Sequence, residues 1–302
     1  MSRNFFRIGA ACTAFLRPNV TKSDIASDDD VRKQHFGMWP EWSRQWNDDW
    51  DHRAPTSPAD SNRKGKTIHL IMVRHGQYDL NTEENGLTGL GRHQAELTGK
   101  RIANMAQSSI SDFYGERKII IKNVYHSNLS RAAETARIVG KYLDADVKVE
   151  EDLMLAEGWP CLPEPYKDSS SVRPSKLFME SARIEAVFRK YCHRVTDGKK
   201  KVKAESDVAA SESKETEVPG VASCGLDSAP RTNEEEYIVL ICHQNIIRYF
   251  VCRALQLHPE AWLRFRGSNC GITEIIISDD GRVSLEKFAD VGHLPVDHHT
   301  FH

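Results

Sequence analysis

The first sustained apolar run past the N-terminal segment is Ile68-His69-Leu70-Ile71-Met72-Val73, interrupted by a single histidine. A run without alternation marks a strand covered on both faces, so it predicts the first strand of a core that begins at Thr67. Leu87-Thr88-Gly89-Leu90-Gly91 leads into Gln94-Ala95-Glu96-Leu97, Ile102 and Met105 at helical spacing, and 118–125 is a second β-rich run. Together they read as a βαβ unit. A helix is predicted over 129–142, a short strand over 147–149, and a further helix over 176–194 carrying Leu177, Ile184, Val187 and Phe188. Tyr237-Ile238-Val239-Leu240-Ile241-Cys242 reads as another buried strand, followed by an apolar helix over 246–257 that ends before Pro259. Segments 272–277 and 282–288 flank Asp279-Asp280-Gly281, whose D-G is a hairpin signal. Alternating β and α units predict an α/β fold, a three-layer α/β/α sandwich with a mostly parallel sheet that is antiparallel at one edge. Ligands in such sheets bind outside the carboxyl ends of the strands.

Four segments break the pattern. Residues 197–236 are rich in Lys, Glu, Ser and Ala, cannot bury enough surface to offset chain entropy, and read as a disordered insertion between the two parts of a catalytic domain, 67–196 and 237–290. Residues 23–66 form an arm and linker holding four of the six tryptophans, Trp39, Trp42, Trp46 and Trp50, without a sustained period. Such an arm cannot bury its own aromatics, so it docks either on a partner or on its own domain. Residues 1–22 carry Arg3, Arg7 and Arg17 ahead of the first acid, Asp24, in the manner of a targeting or anchoring segment. Their apolar run of about a dozen residues is short of the ~20 that span a bilayer. Residues 291–302 read as a solvated tail.

Composition narrows the chemistry. A formal net charge of -2 offers no global attraction to nucleic acid, so any anion site is local. Seven scattered cysteines without a C-x-x-C pair indicate neither a disulfide framework nor a zinc site. His293, His298, His299 and His302 lack Cys or carboxylate partners at ligand spacing, so no metal is assigned to them.

Three candidate groups follow predicted strand ends: Arg74-His75-Gly76, Ser127 to Arg131, and His243. Arg before His, with Gly next, sets a fixed cation beside an imidazole where the backbone can turn closely around an anion. Arg131 sits in the first turn of its helix, so guanidinium and helix N-terminus favour the same anion. A neutral imidazole can attack phosphorus to give a phosphohistidine, with the arginines and the second histidine stabilising the equatorial oxygens and neither metal nor cofactor taking part. A carboxyl must protonate the leaving alkoxide, and Glu157 in Leu155-Ala156-Glu157-Gly158 is the candidate.

Taken in order, Val73-Arg74-His75-Gly76, Leu87-Thr88-Gly89-Leu90-Gly91-Arg92-His93-Gln94-Ala95, Ser127-Asn128-Leu129-Ser130-Arg131-Ala132-Ala133-Glu134-Thr135-Ala136 and Cys242-His243 resemble the phosphoglycerate-mutase-like histidine phosphatase superfamily. Within it, the stretch from Cys242 to Gln256, Trp262-Leu263-Arg264-Phe265 and Trp46-Asn47-Asp48-Asp49-Trp50-Asp51 are similar to mitochondrial serine/threonine-protein phosphatases. The resemblance implies His75 as nucleophile, Arg74, Arg131 and His243 as phosphate ligands, and Glu157 as proton donor. It also implies phosphorylated proteins as substrates and a homo-oligomer assembled through Trp46, Asp48, Trp50 and Asp51. For location it implies the mitochondrion, with the outer membrane as one site and the cytoplasm as the alternative. The chain departs from the family in having Ala156 where an arginine usually precedes the glutamate, and in its long insertion. Two other readings compete: a phosphoglycerate mutase or small-molecule phosphatase, and a catalytically weak phosphoprotein-binding scaffold. Gly158 to Tyr166 offers no arginine or histidine to hold a sugar-acid carboxylate, which disfavours the mutase.

Overall fold

A buried parallel strand must be apolar on both faces, and the strand at the centre of the sheet shows why its sequence does not alternate. The computed structural model describes residues 46–54, 65–81, 85–107, 109–112, 115–164, 173–196, 234–278 and 280–301. Packing separates the chain after Trp46, and the unit from Asn47 onward carries the elements that follow. In chain order these are β1 (Gly65–Lys66), β2 (Ile68–Arg74), α1 (Gly89–Gln107), β3 (Ser109–Asp112), β4 (Gly115–His126), α2 (Ser130–Gly140) and β5 (Lys148–Glu151). They continue with α3 (Pro174–Tyr191), β6 (Val195–Thr196), β7 (Glu234–Cys242), α4 (Gln244–Ala254), β8 (Ile272–Ile277) and β9 (Val283–Asp290).

The main sheet runs β3-β4-β7-β2-β8-β9, with β5 also paired to β4. Strands β2, β7, β4 and β5 are parallel, and β9 shares their direction through two antiparallel steps, so five of the seven strands point one way. The predicted antiparallel edge is β8-β9. A second antiparallel pairing, β3 with β4, was not predicted, because Ser109-Ile110-Ser111-Asp112 carries no β signal of its own.

Side chains alternate between two apolar layers. Leu70, Met72, Leu240 and Cys242 face Ile184, Val187 and Phe188 of α3 and Ile246 and Phe250 of α4. Ile71, Val73, Val239 and Ile241 face Ile102 of α1 and Ala136 and Val139 of α2. Each central strand therefore feeds both cores, the physical basis of the three layers. His69, the one polar residue in the first run, is buried and stacked on Tyr237 at 4.1 Å, with Nδ1 2.8 Å from Glu274 and Nε2 3.0 Å from Glu235. Burial opposes a charge on this ring, but the two carboxylates outweigh it and raise its pKa. The same pairing explains why β7 begins at Glu234 rather than at Tyr237: Glu235 is a buried strand residue answering His69.

The segments that broke the pattern have different outcomes. Residues 1–22 and 197–233 lie outside the described residues. Among the described residues, no helix is long and apolar enough to cross a membrane. The C-terminal segment is not the solvated tail expected from its polar composition. Leu294 is buried, the carbonyl of His298 and Oγ1 of Thr300 accept from Gln94 Nε2, and the Thr300 hydroxyl donates to Asn269. Its histidines have partners of their own: His293 contacts the Thr98 hydroxyl at 2.9 Å and His298 meets His93 edge-on. Polar side chains that bond to the domain leave no hydrophobic signal for a reader of sequence to use.

Residues 47–54 of the arm pack on their own domain. The Trp50 indole donates to the Gly281 carbonyl at 3.0 Å, and Gln256 exchanges hydrogen bonds with the Asn47 backbone. Gly281 has φ +89°, the turn conformation that the D-G signal predicted, and it lies against Arg194. Arg194, 4% exposed at its side chain, bridges to the buried Asp51 carboxylate and donates to the Asp48 carbonyl. Burial alone would raise the Asp51 pKa, but the Arg194 bonds and charge overcome it and hold the carboxyl below its usual range. The contribution of this pair is therefore complete above the ordinary carboxylate value near 3.8 and is lost as pH falls through the lower folded value. Asp51→Asn leaves a buried guanidinium facing a neutral amide. It should cost about 3 kcal/mol in urea unfolding and raise amide exchange over residues 47–54.

Candidate active site

Strands β2 and β7 pair in parallel with Arg74 opposite Cys242, so His75 and His243 leave the sheet side by side. Their ring centroids are 5.1 Å apart. The ladder continues past the strands: the His75 amide donates to Cys242 O and the Ser127 amide to Ile241 O, each at 3.0 Å. Four of the five predicted site residues, Arg74, His75, Arg131 and His243, thus gather at the carboxyl end of the sheet. Glu157 joins them from the loop after β5, where it shares a cleft with Arg74.

The hydrogen bonds of His75 define its chemical state. Nδ1 lies 2.8 Å from the Gly76 carbonyl, which can only accept, so Nδ1 carries the proton and Nε2 a lone pair. Arg131 Nε donates to that Nε2 at 3.1 Å. Burial, followed by the charges of Arg131 and Arg74, brings the His75 pKa down to about 3, so the ring is neutral at physiological pH. Its backbone is clamped from three elements. Thr135 of α2 accepts from Gly76 N, Gln94 of α1 accepts from Gln77 N, and Asn269 donates to His75 O.

His243 is fully buried, with Nε2 2.8 Å from Ser127 Oγ. Ser127 Oγ also accepts from the Leu129 amide, and in the tautomer where its hydroxyl donates to His243 Nε2 the imidazole proton sits on Nδ1. His243 Nδ1 is buried without a partner among the described residues, and so is the Nε donor of Arg74. Burial, then the charges of His75 and the arginines, holds the His243 pKa well below its usual value. Arg74 is fixed by donating Nη1 to Gly267 O at 2.7 Å and Phe301 O at 3.2 Å; burial lowers its pKa to about 10, so it stays charged at neutral pH. Arg131 stacks over Tyr78 at 4.7 Å. Orphaned donors beside two fixed guanidiniums and the α2 N-terminus make a concave anion site.

Glu157 keeps some exposure along the cleft while its carboxyl is enclosed by protein, and desolvation outweighs Arg131 and Arg74 to bring its pKa up to about 7. Its loop is pinned by Arg183 of α3, which donates to the carbonyls of Met154, Ala156 and Glu157. The carboxyl is thus poised to hold or give up a proton near neutrality.

The chain belongs to the histidine phosphatase superfamily. The profile described as histidine phosphatase superfamily (branch 1) matches residues 70–157 and 193–290, which contain every group just described except Phe301 and the α3 residue Arg183. The chain is 35% identical over 269 residues to "Serine/threonine-protein phosphatase Pgam5, mitochondrial" of Caenorhabditis briggsae, covering 83% of this chain and 78% of that one. To the protein of the same description from Homo sapiens it is 31% identical, covering 96% of this chain and 93% of the other. Among solved structures it is similar to phosphoglycerate mutase of Plasmodium falciparum, with 29% identity, 76% of this chain and 96% of that chain covered, and a TM-score of 0.42.

In this histidine phosphatase, the sequence motifs prove to be positioning devices as much as ligands. Thr88 of the Leu87-Thr88-Gly89-Leu90-Gly91 motif caps α1 by accepting from Gly91 N, and Glu134 ties the Leu87 amide to Arg92. Sequence reasoning assigned no role to Thr135, Gln94 or Ser127, although each lay inside a recognised motif. It missed Asn269, Arg183 and the cleft-lining Arg266, which lie outside the motifs, and gave no role to Arg248 of the same cleft although it falls within the quoted stretch from Cys242 to Gln256. Gly91 has the tightest constraint, since a Cβ there would lie 1.9 Å from the Gln77 carbonyl oxygen. Gly91→Ala should push the 76–77 backbone away from α1 and destabilise the fold by about 2 kcal/mol. Urea unfolding would register the loss, and the nitrogen chemical shifts of His75 would register the displaced Gly76 carbonyl.

Proposed function

We propose that the chain is a phosphoprotein phosphatase that works through a phosphohistidine on His75. The observation that carries this reading is the His75 imidazole itself: buried, neutral, with its proton committed to the Gly76 carbonyl and its Nε2 lone pair turned to Arg131. The substrate phosphoryl group displaces the Arg131–His75 hydrogen bond, and Arg131, Arg74 and His243 Nδ1 donate to its oxygens instead. His75 Nε2 forms a bond to phosphorus as the ester P–O bond breaks, and Glu157 gives its proton to the leaving alkoxide. Glu157, now a carboxylate, takes a proton from water, the hydroxide oxygen bonds to phosphorus, the P–N bond breaks and His75 returns to its starting state. The relatives named serine/threonine-protein phosphatases support phosphoserine and phosphothreonine in proteins as substrates, and their being named mitochondrial supports a mitochondrial location.

Assembly is the second part of the reading. The surface that Trp50 and Asp51 occupy in their own domain is equally a receptor for the same residues from a second copy, because the Arg194 and Gly281 contacts do not depend on which chain supplies the arm. Exchange of the arm between copies then gives a homo-oligomer at little cost in contacts.

Turnover of a phosphothreonine peptide by the full chain should survive chelator, exceed that of 3-phosphoglycerate, and fall at least about 1000-fold in His75→Ala. Rapid quenching should trap acid-labile, alkali-stable phosphoenzyme in the parent chain, and none in the variant. Activity that is absent on every substrate, or indifferent to His75, would leave only phosphoprotein binding. The pH dependence gives a separate check. Because the Glu157 acid must be protonated, kcat/KM should decline above an apparent pKa near 7, and Glu157→Gln should lose this alkaline limb along with its activity.

A further inference from the structure

The cleft beside the phosphate site holds more positive charge than one phosphoryl group needs. It has a volume of about 570 Å³ and is lined by Arg74, Arg248 and Arg266 with Glu157 as its single carboxylate. Arg74 is already committed, with Arg131, to the phosphoryl group at His75. That leaves Arg248 of α4 and Arg266, which follows the Trp262 turn, without a task in the reaction.

Both are held in place by neutral groups. Arg248 donates Nε to Phe265 O at 2.5 Å and Nη1 to Asn245 Oδ1 at 3.1 Å, with its guanidinium 5.9 Å from the Trp262 ring. Arg266 lies 3.9 Å over the ring of Phe301, whose carbonyl also anchors Arg74. Among the described residues, no carboxylate stands within ion-pair distance of either, whereas Arg92, Arg189, Arg194, Arg253 and Arg282 all have one. Arg248, partly buried and fixed by carbonyl, amide and aromatic partners, has no ion-pair partner; burial lowers its pKa, and the more distant Glu157 charge offsets only part of that shift. Arg248, partly buried and hydrogen-bonded, and Arg266, exposed and stacked on Phe301, line one cleft and together fit an anion brought by the ligand. The sequence argument against a second anion site looked only at residues 158–166, and the fold supplies the cations from residues 248 and 266 instead.

We propose that Arg248 and Arg266 form a second anion subsite that binds a carboxylate or a further phosphoryl group on a residue flanking the phosphorylated one, so that acidic phosphopeptides are the preferred substrates. The inference rests on the phosphatase reading for the position of the first phosphoryl group. The subsite contributes to recognition rather than to the chemical step, so it acts on KM more than on kcat.

The test uses the full chain with phosphothreonine peptides of one length whose neighbouring residues are alanine, glutamate, phosphoserine or lysine. Glutamate- and phosphoserine-flanked peptides should exceed the alanine peptide in kcat/KM by about tenfold, mainly through KM, with lysine below alanine. In the double variant Arg248→Gln, Arg266→Gln the ratio should fall to within about twofold of unity, with unfolding midpoints showing that it is folded. The glutamate and phosphoserine arms separate the two sources of the anion. A parent chain indifferent to flanking charge, or a preference that persists in the double variant, overturns the subsite. If no peptide is hydrolysed the phosphatase reading falls, and calorimetric titration of the same peptides into His75→Ala decides the subsite alone: equal affinities for acidic and alanine peptides overturn it, and tighter acidic binding supports it.

Discussion

The parallel pairing of β2 with β7, Arg74 opposite Cys242, is the constraint on which the site depends. Strand register fixes which residues leave the sheet first, and a slip by one position would reverse every side chain between the two apolar layers. Because Leu70 and Met72 are committed to one core and Ile71 and Val73 to the other, that slip is expensive, and the site inherits its geometry from hydrophobic packing far larger than itself. The two histidines need no direct bond to each other. Their separation is set by two adjacent backbones, and the backbone bonds that run on past the strand ends extend the rigidity of the sheet into the loops.

Placement is then converted into reactivity by desolvation. A buried imidazole beside two cations resists protonation, and a buried carboxyl resists ionisation, so the same exclusion of water moves the two pKa values in opposite directions, to about 3 for His75 and about 7 for Glu157. The arginines work against the second shift while reinforcing the first. Their positions favour a neutral His75 ring, and Glu157 holds its proton more tightly than a free carboxyl because burial outweighs their attraction. A phosphoryl group would reverse part of that field by adding negative charge among the arginines, which holds the proton on Glu157 more firmly until the alkoxide needs it.

Much of this was legible in the sequence for a physical reason: central strands and amphipathic helices carry their burial as hydrophobic pattern, and groups that bind one anion cluster at strand ends. The convergence of His75, Arg74, Arg131 and His243 was readable in this way, whereas Glu157 was singled out by the need for a proton donor and not by a strand end. The unread part is polar and long-range. Asn269 reaches the His75 carbonyl across 194 residues of sequence, Arg183 grips a loop from the next helix, and the segment after 290 adheres through histidine, threonine and backbone groups. Glu234, Glu235 and Glu236 looked like the end of an insertion because acids are poor strand formers, yet a buried histidine on the neighbouring strand makes Glu235 a core residue. Tertiary partners decided each of these cases, and they leave no mark at short range.

Arg74 takes one of its two anchoring carbonyls from Phe301, 227 residues later in the chain. Synthesis proceeds from the amino end, so the ribosome releases β2 and His75 long before it makes the residue that steadies the neighbouring guanidinium. A nascent chain would thus hold His75 beside a guanidinium that still lacks one of its two carbonyl anchors until residue 301 has been made and has docked.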